Sequence, residues 1–213
     1  MVFLLAALVL SCYTTGWAAP SLLGPTGLVT IPTADVLGMG QFTVGLTAVA
    51  ADEGEEETIL YANTGLLPRL EAGFAREEFD DAETETLLNA KLRLLGPLPG
   101  KVSLAVGMSD ITDQVDRSGY VVVSHTLGAG LLTRFGQVTT PEIHVGAGAG
   151  RFDGLFGGVS TTVDRRVGLM AEYDGDDINI GARMPVAPQL EATVAALDGL
   201  GDLALGLSFS SPW

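Results

Sequence analysis

After residue 40, apolar residues recur at every second position of the chain, separated by small or polar residues. A clear example has its apolar positions at Val102, Leu104, Val106 and Met108. Side chains of a β-strand point to opposite faces in turn, so this period predicts strands with one apolar and one polar face. The same segments are rich in glycine, which disfavours helices.

The repeated pattern predicts an all-β fold with about twelve strands, joined as an antiparallel up-and-down meander. Residues 128–140 are expected to form either a further short strand or a loop. The predicted strands cover residues 41–51, 57–66, 69–77, 85–95, 101–109, 118–127, 141–150, 155–164, 166–174, 177–184, 189–197 and 202–211.

The connections between these strands alternate in character. The first, third and later odd-numbered connections are acidic, as in Asp174-Gly175-Asp176-Asp177, whereas most even-numbered ones are short and carry proline or arginine, as in Leu67-Pro68-Arg69. In an up-and-down meander these two sets lie at opposite ends. Outer-membrane barrels have short periplasmic turns and longer outer loops, so the acidic connections are predicted to be extracellular.

Strand length and the end of the chain favour a membrane β-barrel over a secreted, soluble β-sandwich, which remains the alternative. About 9–11 tilted residues cross a bilayer as a strand, and closure pairs every backbone polar group in lipid. The last strand places Phe209 and Trp213 on its apolar face. This ending resembles the signal that hands barrels to the insertion machinery.

The first 18 residues are predicted to be a signal peptide. Phe3 to Leu10 is an apolar run too short to span a bilayer, and small residues at Gly16 and Ala18 suit cleavage after Ala18. Lipidation at Cys12, the single cysteine, is the alternative. Residues 19–40 are predicted to be an extended periplasmic lead-in, and residues 41–213 the barrel.

The charge balance of the chain argues against nucleic acid as a partner. The chain carries 26 acidic and 11 basic residues, a net charge of −15. Nucleic-acid binding needs a positive field, so nucleic acid is not expected as a partner. The expected partners are the lipid bilayer, surface glycolipid bridged to the acidic loops by cations, and the insertion machinery.

No motif for catalysis or cofactor binding stands out. His125 and His144 are the only histidines, and no nucleophile spacing accompanies them. Gly146–Gly150 lacks the spacing of a nucleotide-binding loop, and Asp174–Asp177 is too short for a calcium loop and suits a hairpin turn. We therefore expect no enzyme activity, no cofactor and no metal site.

Charged and amide side chains on the polar face are the candidate functional residues, because they would line the barrel lumen. They would either fill it with salt bridges or line a narrow polar path. The candidates are Asn89, Lys91, Arg93, Glu172, Asn179, Arg183 and Glu191.

Four segments resemble a known family. Residues 24–34 run Gly-Pro-Thr-Gly-Leu-Val-Thr-Ile-Pro-Thr-Ala, 89–94 Asn-Ala-Lys-Leu-Arg-Leu, 104–111 Leu-Ala-Val-Gly-Met-Ser-Asp-Ile, and 171–183 Ala-Glu-Tyr-Asp-Gly-Asp-Asp-Ile-Asn-Ile-Gly-Ala-Arg. Together they resemble bacterial outer-membrane barrel proteins associated with exopolysaccharide production, in a short single-barrel form. The resemblance implies a non-enzymatic envelope barrel, with polysaccharide as a partner. It supplies no catalytic residues.

The functional prediction is thus a non-enzymatic outer-membrane barrel that assists exopolysaccharide secretion or envelope structure. A small solute pore and a soluble β-sandwich binding module are the alternatives.

Overall fold

The computed structural model describes residues 18–50, 56–79, 84–96, 102–128, 141–163 and 166–211. These residues form one closed antiparallel β-barrel of twelve strands. The strands are β1 (Phe42–Ala50), β2 (Glu56–Leu67), β3 (Leu70–Phe79), β4 (Glu85–Leu95), β5 (Val102–Ser109), β6 (Ser118–Thr126), β7 (Glu142–Ala149), β8 (Gly154–Val163), β9 (Val167–Tyr173), β10 (Ile178–Ala187), β11 (Leu190–Leu197) and β12 (Asp202–Ser210).

Each strand pairs with its neighbours along the chain, and β1 closes the barrel by pairing with β12. The predicted all-β antiparallel barrel and its strand number are confirmed. Most strand ends agree with the sequence pattern within two residues. β10 runs further than predicted, to Ala187, because a bulge between Pro185 and Ala187 carries the pairing with β11 past the proline.

The alternation along each strand separates an outward from an inward face. In β12 the outward Leu203, Leu205 and Leu207 are each about half exposed, whereas the inward Ala204 and Ser208 are buried. The apolar residues of the period-two pattern therefore cover the outside of the barrel. In the part of the chain that the structure describes, no helix is long and apolar enough to cross a membrane.

The two ends of the barrel differ. The topology brings the described odd-numbered connections together at one end, here called the acidic end, which carries residues 110–117, 150–153, 174–177 and 198–201. The opposite end, called the short-turn end, holds the tight turns at 68–69 and 188–189. Cys12, Trp213, most of the predicted signal peptide and residues 129–140 lie outside the described residues.

Residues 20–37, called the plug, are folded inside the barrel. Val29, Ile31 and Ala34 have no exposed surface, and isolated bridges join Pro20 to Thr26 and Gly27 to Pro32. This differs from the extended periplasmic lead-in expected from the sequence. The plug folds into turns because its prolines and glycines break regular structure, and because its apolar side chains pack into two apolar clusters with residues of the wall.

Candidate functional site: the filled lumen

Glu172 on β9 anchors the middle of the plug. One oxygen of its carboxylate accepts hydrogen bonds from Thr30 N at 2.7 Å, Thr30 Oγ1 at 2.6 Å and Ile31 N at 3.3 Å. The other oxygen accepts from Val29 N at 2.9 Å. These backbone N–H groups have no strand partner, so a buried carboxylate takes the place of a β-ladder.

Glu71 on β3 anchors Thr26 and the C-terminal end of the plug in the same way. Its carboxylate accepts hydrogen bonds from Thr26 N and from Leu37 N, both at 2.9 Å. Lys91, its direct partner across β3 and β4, donates to Thr26 O at 2.5 Å and Thr33 O at 3.3 Å. The fully buried pair therefore satisfies donors and acceptors of the same plug segment.

Further wall side chains bind plug backbone. Arg183 donates to Pro20 O at 2.6 Å and Leu28 O at 2.9 Å, and it pairs with Glu191 at 3.3 Å. Ser124 accepts from Ala34 N at 2.9 Å and lies 2.8 Å from His144 Nδ1. Because the Ser124 oxygen already accepts a plug amide, the Ser124–His144 contact supports the plug.

Glycines in the wall make room for the apolar side chains of the plug. A Cβ atom at Gly158 would lie 2.5 Å from Leu28 Cδ1, and one at Gly181 would lie 2.9 Å from Val29 Cγ2. At Gly206 it would lie 2.7 Å from Leu22 Cδ2. These distances are well below the roughly 3.5–4.0 Å of carbon–carbon contact, so wall and plug are shaped to each other.

The plug and the wall do not fill the lumen completely. A cavity at the acidic end lies beside Leu23, Asn89 and Tyr120, and Arg151 closes over it through a two-pronged pair with Glu77 at 3.0 and 3.1 Å. The room there for water is 20 Å³, enough for about one molecule.

Asp110 organises the connection from β5 to β6 at the acidic end. Its carboxylate accepts from Gln114 N at 3.0 Å, Val115 N at 2.7 Å and Asp116 N at 2.9 Å. Burial acts to raise the pKa of Asp110, but these hydrogen bonds outweigh it and hold the pKa below its ordinary value.

The seven residues predicted to line the lumen all lie on the inward face. Lys91, Glu172 and Arg183 bind the plug directly. Asn179 donates to Glu172 and to Thr30 Oγ1, both at 3.3 Å, and Glu191 pairs with Arg183. Asn89 accepts from Asp110 N at 3.2 Å, whereas Arg93 is half-buried and its Nε has no hydrogen-bond partner among the described residues.

The two groups of predicted residues lie on β4 and on β9 to β11, on opposite walls of the barrel, and the plug lies between them. Sequence reasoning missed Glu71, Glu77 and Ser124. Glu71 lies on the same face of β3 as Ala75, and Phe74 lies on the other face. The period-two pattern could therefore have predicted that Glu71 points inward. Nothing local to the plug indicated that it would occupy the lumen.

Neither a family model nor a curated protein matches this sequence. Among solved structures, the KdgM porin is similar with a TM-score of 0.57 and 10% identity, over 80% of this chain and 99% of that one. A KdgM porin in complex with disordered oligogalacturonate is similar with a TM-score of 0.53, also at 10% identity, over 80% and 99% of the two chains. The chain is therefore similar in fold to an outer-membrane porin barrel.

Proposed function

We propose that this chain is a bacterial outer-membrane barrel of the porin type, whose polar path for small solutes is closed by its own plug. The observation that carries the proposal is the polar interface between plug and wall. Buried carboxylates, a lysine and an arginine hold the plug by its backbone. A wall that served only to enclose an apolar core would not need them.

The outer surface supports the membrane location. Large apolar side chains on the outward face, such as Leu155 at 71% and Ile178 at 59%, are exposed all round the barrel. A soluble monomer rarely exposes a contiguous apolar patch beyond a few hundred Å². Strands of 7–12 residues match a bilayer crossing. The fold likeness to the KdgM porin supports the same class.

We also propose how the barrel is oriented in the membrane and which residues direct its insertion. The first strand begins and the last strand ends at the short-turn end, and this end faces the periplasm. The acidic end faces the cell exterior, where cations can bridge it to glycolipid phosphates. Phe209 faces outward and its ring centre lies 6.2 Å from that of Phe42. We propose that Phe209 and Trp213 carry the signal for the insertion machinery.

Planar-bilayer recording of the purified full chain tests the plugged-channel proposal. The wild type should be closed for most of the recording. Glu172→Gln places an NH₂ group against plug donors and should weaken plug binding by about 1–3 kcal/mol, which raises the ratio of open to closed channels roughly 5- to 150-fold.

Glu85→Gln is the matched control, since Glu85 lies on the same inward face and loses the same charge. It should leave the open probability unchanged because no described plug atom hydrogen-bonds to it. A folded Glu172→Gln barrel that stays as silent as the wild type would mean that Glu172 does not hold a channel closed.

A role in exopolysaccharide secretion is the finer proposal, and the resemblance supports it. Three of the four resembling segments, 24–34, 89–94 and 171–183, contain part of the plug and wall residues that hold it, so most of the likeness lies at the plugged interface. Surface polysaccharide measured in a deletion strain complemented with wild type or Glu172→Gln tests this role. Equal polysaccharide in the deletion and the wild type would remove it.

A further inference from the structure

The inward face is rich in carboxylates throughout its length. Toward the acidic end the strands contribute Glu57, Glu77, Glu85, Glu172 and Asp202. Toward the short-turn end they contribute Glu71, Glu142 and Glu191. Cross-strand partners share a face, which places Glu85 beside the buried Glu77 and Asp202 beside Leu197.

Cationic side chains are fewer. Among the described residues, the inward face has Lys91, Arg93 and Arg183, and Arg151 enters from the turn between β7 and β8. Carboxylates therefore outnumber cations two to one along the wall. One-to-one ion pairing could therefore neutralise at most half of these carboxylates.

Glu172 has a particular position in this wall. Its hydrogen-bond partners are plug donors at residues 29–31 and the amide of Asn179, and no cation among the described wall residues binds it. These N–H and O–H donors occupy the position beside the Glu172 carboxylate that a permeating cation would take. When the plug leaves, Glu172 loses them and faces the path together with Asn179.

We infer that the opened lumen selects cations, with Glu172 as the specificity-determining residue, and that it excludes anionic solutes such as acidic oligosaccharides. The inference rests on the proposed channel. A charged wall of low dielectric focuses its field into a narrow path and concentrates counter-ions there. The Debye length is about 10 Å at 0.1 M salt, so solution ions screen little of the field across such a lumen.

The acidic end strengthens the same preference. Two arginines, Arg117 and the inward-turned Arg151, lie in its described connections. The acidic residues there are Asp110, Asp113, Asp116, Asp153, Asp174, Asp176, Asp177 and Asp198. Cations entering from this end meet a negative rim before they meet the negative wall. Anions meet repulsion at both places.

The test displaces the plug by a substitution in the plug itself, so that the wall residues stay unchanged. Thr30→Pro removes both the N–H and the O–H that Glu172 accepts. Its reversal potential in a potassium chloride gradient should correspond to a several-fold preference for potassium over chloride. Thr30→Pro combined with Glu172→Gln should bring that preference toward unity, whereas Thr30→Pro with Glu78→Gln should keep it, because Glu78 faces outward.

The outcomes separate this inference from the channel itself. Faster migration of unheated samples first establishes that each variant is a folded barrel. Conduction with a preference for chloride, or a preference that Glu172→Gln leaves unchanged, overturns the selectivity inference and leaves the channel standing. Folded Thr30→Pro and Glu172→Gln barrels that both stay silent overturn the channel.

Discussion

At the residue scale, one interaction recurs: a carboxylate accepts hydrogen bonds from several backbone N–H groups that have no strand partner. Glu172 does this for residues 29–31, Glu71 for Thr26 and Leu37, and Asp110 for residues 114–116. An unpaired buried N–H group costs about as much as a lost hydrogen bond, so each carboxylate fixes a segment that would otherwise be unstable. Irregular chain is thereby held to a regular wall.

Asp110→Asn should destabilise the barrel by about 1–3 kcal/mol, because an amide offers one acceptor oxygen where the carboxylate serves three N–H groups. Urea unfolding of the protein in lipid vesicles measures this. Asp113→Asn is the matched control, since both residues have positive φ, which asparagine adopts readily. Among the described residues, the carboxylate of Asp113 pairs with the exposed Arg117 at 3.4 Å, and its loss should cost less than about 0.5 kcal/mol.

The same residue predicts a dependence on pH. The pKa of Asp110 is lowered in the folded protein, so its contribution is complete above the ordinary value of 3.8 and is lost as the pH falls through the lower folded value. The stability difference between wild type and Asp110→Asn, measured by urea unfolding at several pH values, should therefore shrink only below about pH 3.8. A difference that vanishes already at pH 6 would contradict the assignment.

At the element scale, glycines set how strands and plug fit. Three inward glycines face an aromatic side chain directly across a strand pair, in Gly45–Tyr61, Gly107–Tyr120 and Gly146–Phe156. A Cβ atom at any of them would lie within 2.3 Å of the ring. The ring thus covers a bare stretch of backbone, a known device of curved sheets. At Gly158, Gly181 and Gly206 a plug side chain covers the bare backbone in the same way.

Gly206→Val should destabilise the barrel by about 1–3 kcal/mol, because the new side chain overlaps Leu22 of the plug. Leu22→Ala should relieve that overlap, so the double variant should be more stable than the sum of the single effects predicts. Urea unfolding in vesicles gives the four free energies of the cycle.

Gly119→Val is the control for this cycle, since no atom lies within 4 Å of a Cβ at this outward position. It should show no coupling to Leu22→Ala. Strict additivity between Gly206→Val and Leu22→Ala would mean that the plug does not lie against β12.

At the scale of the whole molecule, closure of the barrel separates two environments. The pairing of β1 with β12 closes the sheet, the outward face is apolar, and the inward face combines polar side chains with apolar clusters. The plug then fills the interior that twelve strands leave. A barrel of this size would otherwise hold either water or side chains.

The folded chain should therefore behave as an integral outer-membrane barrel. Fractionated cells should contain it with outer-membrane markers, and unheated samples should run faster on a denaturing gel than boiled ones, because a closed hydrogen-bonded barrel resists detergent. Release of a monodisperse protein into detergent-free buffer would contradict a lipid-facing surface.

The sequence by itself determined the barrel. In segments such as 85–95 the period of two fixes which side chains face out, and because the period is local, the pattern predicts both the strand and its faces. The even strand number and alternating connections then determine the order of strands and the two unlike ends. The same pattern placed Lys91, Glu172 and Arg183 on the inward face.

Only the tertiary structure decided what those side chains bind. Residues 20–37 have no period, and their partners are distant in sequence: Val29 binds Glu172 and Ala34 binds Ser124. Whether a lumen holds water, ion pairs or a segment of chain depends on the volume left after closure and on how many buried polar groups a segment can satisfy. Both quantities exist only once all twelve strands surround the plug.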